Sequence, residues 1–164
     1  MHTPLISTTG GEVLLPSKVL CDRQSGGHLI VNPPRAVWER SELSVPELVQ
    51  WSLLVAATGR AMLDTLDVLA GGCLNYWEAG NWALNDLADP PGPKDVLSHR
   101  RVHLHNFGRS RHSTDPDWQW GESPYFPSYA ESDAWAARFM PFNDDECRTI
   151  QARILVLLDT RYRA

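Results

Sequence analysis

The chain has 164 residues, 43% hydrophobic and 21% charged, with a formal charge of −5. That balance suits one globular domain with a single substantial core. It also speaks against nonspecific nucleic-acid binding, since there is no basic tail or lysine run. No stretch approaches membrane-spanning length. The opening MHTPLISTTGGEVLLPS lacks the basic start and apolar run of a signal peptide. Three cysteines, Cys21, Cys73 and Cys147, are odd in number and widely spaced, a pattern of reduced thiols in a cytoplasmic protein. Only Lys18 and Lys94 are lysines, so nearly all positive charge is arginine, whose planar fork suits phosphate oxygens.

In chain order, residues 12–21 read as a strand interrupted by Pro16. A turn over 22–27 follows, then a short apolar strand from His28 to Val31 that stops at Asn32-Pro33-Pro34. The pair suggests a hairpin. Ser44 to about Leu66 is the clearest helix. Ser44 and Glu47 form a capping-box pattern, Pro46 fits the first turn, and Leu48, Trp51, Leu54, Val55, Met62 and Leu66 supply a buried face. Gly71-Gly72 ends this unit. Residues 73–77 read as a strand, 78–82 as a turn, and the proline-rich 86–95 as a surface loop.

The next strand carries the chain's most informative pattern, Arg101-Val102-His103-Leu104-His105-Asn106-Phe107. A period of two puts His103 and His105 on one face, about 7 Å apart along the strand. Arg100, Arg101, Arg109 and Arg111 lie between His99 and His112 with no acidic residue among them, so a positive patch stands out in an acidic chain. Nucleophilic nitrogens in a positive pocket are what phosphate chemistry requires. Residues 113–133 are too aromatic for a free linker and too irregular for a helix. They are expected to pack as an ordered arm or lid, with Trp118 and Trp120 on a common face if extended. A last helix begins near Asn143, with Glu146 at capping-box spacing and a stripe of Ile150, Ile154, Leu157 and Leu158. The order of elements predicts an α+β fold with a mainly antiparallel sheet of about five strands, one long helix and a C-terminal helix at about 143–160. A single domain spans 1–164.

Gly27-His28-Leu29-Ile30-Val31-Asn32-Pro33-Pro34, the 44–66 helix, Asn75, Gly80-Asn81 and Val102–Arg109 together resemble the histidine triad (HIT) superfamily, in particular bacterial proteins labelled as diadenosine polyphosphate hydrolases. The resemblance covers about residues 12–110. It implies a compact α+β unit, often paired so that two sheets join. It also implies a reaction in which the middle histidine of His-x-His-x-His attacks the α-phosphorus of a nucleotide, forming a nucleotidyl-histidine. Here the middle position is His103 and the third is His105. Arg101 holds the first, and the family's frequent extra histidine falls near Ala36, beside Arg35.

The residue chemistry agrees with this reading. A neutral imidazole attacks phosphorus well, provided its second ring nitrogen donates elsewhere. Arg101, expected on the same face as the histidines, would clamp phosphate oxygens but could not act as a general acid, so a proton for the leaving group falls to His105, His99 or water. His103, His105 and Arg101 are the expected catalytic residues; Asn75, Asn81, Arg109, His99 and Arg35 are the expected substrate contacts. The reading calls for a nucleotide substrate, no cofactor, no membrane or nucleic-acid partner, and a homodimer. Two alternatives stay open: a nucleotide-binding protein without catalysis, and a metal site built on His103 and His105 with His99 or His112. His28 reads as a structural histidine on an apolar strand, and His2 as disordered.

Overall fold

A computed structural model describes residues 2–163. Five antiparallel strands form one sheet: β1 (Thr3–Thr8), β2 (Gly11–Leu15), β3 (His28–Asn32), β4 (Cys73–Ala79) and β5 (His103–Arg109), in the order β1-β2-β3-β5-β4. The helices are α1 (Val45–Thr65), α2 (Val96–His99), α3 (Ser132–Ala136) and α4 (Asp144–Asp159). The fold is α+β, as expected. No helix among the described residues is long and apolar enough to cross a membrane.

Both long helices start where their caps predict. Ser44 and Asn143 each close a capping box, with Glu47 and Glu146 at the third helical position. They pack on each other and on one face of the sheet. There Val13, Leu29, Val31 and Leu104 meet Trp51, Leu54, Ala57, Ala61 and Met62 of α1, and Ile150, Ile154 and Leu157 of α4. The indole Nε1 of Trp51 donates to the Val31 carbonyl at 3.2 Å, which satisfies the one polar atom of a fully buried ring. Leu158, expected in the α4 stripe, packs at the margin of this core.

Four boundaries differ from expectation. The fifth strand is β1, which pairs along β2 from Thr3↔Leu15 to Thr8↔Gly11. The strand expected over 12–21 stops at Leu15, where proline ends the ladder. Its hairpin with β3 is therefore closed by a long connection holding an Asp22-capped turn at Arg23–Ser25. β4 runs two residues farther than expected, and the one-turn α2 follows the 86–95 loop. Arg101 and Val102 lie outside β5, because the Val102 amide donates to Val37 (2.9 Å), pulling the chain off the sheet.

The opposite sheet face is covered by the segment after β5. It is ordered, as expected of an arm, through turns at Pro116–Trp118 and Tyr129–Glu131 and then α3. Trp118 is buried against Phe107 and donates to the Gly108 carbonyl at 2.9 Å, and Trp135 donates to Leu20 at 3.2 Å. Trp120 does not share the face of Trp118. The turn at 116–118 breaks the alternation and leaves Trp120 partly exposed under Arg111. On the same side, the 22–27 turn approaches β5 only because both residues 26 and 108 are glycine; a Cβ on either would meet the other's backbone at 2.1–2.3 Å.

Candidate functional site

The pairing register builds the site. On β5, His103, His105 and Phe107 share the arm-side face. Opposite them stand Ala79, Trp77 and Asn75 of β4, and Ile30 and His28 of β3 face His105 and Phe107. His28 thus reaches diagonally across to His105, with ring centroids 4.9 Å apart, and Trp77 stacks on His105 from the other strand at 5.4 Å.

Three imidazoles form one hydrogen-bonded row. The Leu20 amide donates to His28 Nδ1 (3.2 Å), His28 Nε2 lies 2.7 Å from His105 Nδ1, His105 Nε2 lies 3.1 Å from His103 Nε2, and His103 Nδ1 lies 3.0 Å from the Arg101 carbonyl. An amide can only donate and a carbonyl can only accept, so the two ends assign every proton between them. His28 carries its proton on Nε2, His105 carries its proton on Nε2, and His103 carries its proton on Nδ1. His103 Nε2 is therefore unprotonated and accepts the His105 proton. Gly80 lets the terminal carbonyl come this close: its φ is +134°, and a Cβ there would stand 2.7 Å from the Arg101 oxygen.

Burial holds all three rings neutral. It lowers the pKa of His28 well below the ordinary histidine value, with His105 and His103 adding to the effect. Burial, with His103 contributing, pushes His105 down to about 3. Burial lowers His103 as well, against the opposing pull of its bond to the Arg101 carbonyl. A neutral imidazole with its far nitrogen protonated is the form a nucleophilic histidine needs.

His103 and His105 open onto a cavity of about 610 Å³. Its walls come from Pro16–Lys18 and Leu20, from Trp77 and Ala79 through Ala83, and from His99 and Arg101. Among the described residues no acidic side chain lines it, whereas Lys18 and Arg101 do. Lys18 also reaches Asp133 of α3 at 2.6 Å. The volume falls within the range of small-molecule sites.

The expected site residues divide into two groups. His103, His105, Arg101, His99 and Asn81 come together on the cavity wall. Arg101 reaches it differently from the expectation. It is not on the histidine strand, and its guanidinium donates to the Leu97 and Arg100 carbonyls while its own carbonyl orients His103. Asn81 accepts from Arg100 Nε at 3.3 Å, and Arg100 also holds Glu39 and the Trp38 carbonyl, which ties the loops at the cavity mouth together.

The other three expected contacts lie elsewhere. Arg109 is 4% exposed, stacks over Trp118, and donates to the Gln119 and Glu122 carbonyls, so it anchors the arm. Arg35 is exposed and paired with Glu47, where it supports the start of α1. Asn75 shares the histidine face but is exposed at the edge strand, bonded only to its neighbour's carbonyl and outside the cavity lining.

His28, Lys18, Trp77 and Trp82 were not expected in the site. His28 is indeed fully buried and satisfied, but its partner is His105, a pairing set by strand register that a linear sequence does not display. His2 is ordered, accepting from the Ser17 amide at 3.1 Å and lining the cavity. His112 lies past the far end of β5, away from His103. Among the described residues no group of three or more His, Cys, Asp or Glu side chains is placed to hold a metal ion. No protein-family model and no curated protein matches the chain.

Proposed function

We propose that this protein is a HIT-like nucleotide hydrolase or nucleotidyl transferase, acting on a nucleoside polyphosphate through a nucleotidyl-histidine at His103. The observation that carries the proposal is the proton-ordered row His28–His105–His103, whose last unprotonated nitrogen, His103 Nε2, sits on the wall of a cavity lined by no carboxylate side chain among the described residues. His103 Nε2 attacks the α-phosphorus. His105 Nε2–H, which donates to that nitrogen at rest, turns to a nonbridging phosphate oxygen and stabilises the charge that develops there. The Arg101 carbonyl retains the Nδ1 proton and stabilises the cationic ring of the intermediate. Lys18 and Arg101 supply positive charge for the remaining phosphates. The indoles of Trp77 and Trp82 offer apolar walls for the base. The homodimer implied by the family resemblance would have an edge strand, β4, available for pairing.

The test is intact-protein mass spectrometry over milliseconds to minutes with adenine and guanine polyphosphates, with His103→Ala alongside. The expected result is a transient gain of one nucleoside monophosphate in the wild type only. We expect His103→Ala to lose turnover by about 10³-fold or more while keeping its folded circular dichroism spectrum. Nucleotide binding with neither adduct nor product would instead mark a binding protein, and turnover retained in the variant would remove His103 from the mechanism.

A further inference from the structure

The row of imidazoles supplies a nucleophile but no acid. All three rings hold their protons in bonds to one another or to backbone, and burial keeps each of them neutral. The other titratable groups on the cavity wall are His2, Lys18, His99 and Arg101. A guanidinium keeps its proton at physiological pH, so Arg101 offers charge alone. Lys18 is paired with Asp133 and likewise acts as a charge. His2 accepts the Ser17 amide proton on Nδ1, and protonating that nitrogen would break the bond.

His99 differs from all of these. It is the last residue of α2, half-buried on the cavity wall, and its Nδ1 lies 3.0 Å from the Asp95 carbonyl. A carbonyl only accepts, so Nδ1 keeps its proton in either charge state and Nε2 is the atom that gains and loses one. The Asp95 carboxylate, which caps α2 through the Ser98 amide and hydroxyl, lies close enough to the ring to feel its charge. That carboxyl is held below its usual range first by the Ser98 hydroxyl and amide, with a charge on His99 adding to them. The 81–84 turn packed against α2 brings Asn81 and Trp82 and no charged group. Arg100 and Arg101 follow in sequence, and Lys18, His2 and His103 line the same cavity.

We propose that His99 is the general acid–base of the reaction, cycling one proton on Nε2; the assignment rests on the nucleotidyl-transfer reading above. In the first half, the His103 Nε2 lone pair forms the N–P bond. The bond from phosphorus to the leaving oxygen breaks with its electron pair on oxygen, and the His99 Nε2 proton goes to that oxygen. In the second half, His99 Nε2 takes a proton from water as its oxygen attacks phosphorus. The N–P bond then breaks, and its electron pair returns to His103 Nε2. Both histidines end as they began, with His99 Nδ1–H donating to the Asp95 carbonyl throughout.

The experiment compares wild type with His99→Asn on aryl esters of adenosine monophosphate, from 4-nitrophenyl to unsubstituted phenyl. Asparagine can still donate to the Asp95 carbonyl but carries no exchangeable acid proton. Nitrophenolate leaves unaided, whereas phenolate needs a proton. The quantity compared is kcat/KM, which reports the first half alone because the second half is common to all the esters; its expected loss in His99→Asn is about 10²–10³-fold for the phenyl ester and under about 10-fold for the nitrophenyl ester. The alkaline fall in the wild-type phenyl-ester profile should vanish in the variant. Equal losses on both esters, or none on either, would overturn the assignment while leaving His103 chemistry intact. A wild type that releases no nitrophenolate and forms no adduct would remove the nucleotidyl-transfer reading, and His99 with it.

Discussion

The two faces of the sheet are made by the same strands and serve opposite ends. Toward α1 and α4, β3 and β5 present Leu29, Val31 and Leu104, closed under Trp51 and Met62. Toward the arm they present His28, His103, His105 and Phe107, closed only at one end by Trp118 and Phe126 and open at the other as a cavity. One face is a dry core where shape decides stability. On the other, buried imidazoles are tolerated because each finds a partner, and the row runs from a backbone amide to a backbone carbonyl. Alternation along two strands is enough to keep the two environments apart.

The largest effect should come from breaking the helix face. Trp51→Ala removes a fully buried indole and its bond to the Val31 carbonyl, and should cost about 3–5 kcal/mol in urea unfolding. Turnover per folded molecule should change little.

The arm-side face should instead announce itself through pH. Its imidazoles stay neutral when folded, whereas in the unfolded chain they take up protons below about pH 6.5. The unfolded state then binds more protons, so stability rises with pH through this window and is lost on acidification. For His105, pushed down to about 3, the loss between about pH 7 and pH 5 is about 2 kcal/mol. His28 and His103 shift in the same direction and steepen it. Denaturant midpoints across this range measure the slope, and His28→Phe should flatten it. A pH-independent midpoint would mean that the rings are not buried and neutral.

Smaller effects refine the contrast at the closed end. Trp118→Phe keeps most of the ring contact but takes the donor from Gly108, and should cost about 1–2 kcal/mol. The smallest concerns a residue the sequence pointed to for the wrong reason. Arg35→Ala should leave the KM for any nucleotide substrate unchanged, because its guanidinium is spent on Glu47 and the Glu42 carbonyl. A raised KM would place it in the site after all.

Much of this was readable in one dimension. The capping boxes at Ser44 and Asn143, the apolar stripes behind them and the alternation around His103 are local signals, set by caps and periodicity within a few residues. They were enough for the α+β class and for putting His103 and His105 on one face of their strand. They said nothing of β1, whose pairing depends on a distant register, or of Arg101, which leaves the strand because Val37 captures the next amide. Arg109 and Arg111 read as part of one positive patch with Arg101, yet Arg109 is turned under the arm by contacts made after β5.

What the sequence alone determined is therefore what neighbours along the chain can enforce: where helices begin, which residues alternate, and that His103 and His105 share a face. Only the tertiary structure decided which other groups meet them. The His28–His105 bond joins positions 77 residues apart, and Lys18 with Leu20, Trp77 and His99 come from three further segments. A ring's proton position depends on the partner opposite it in space. The order of protons that leaves His103 Nε2 unprotonated is thus a property of the folded sheet and its covering loops.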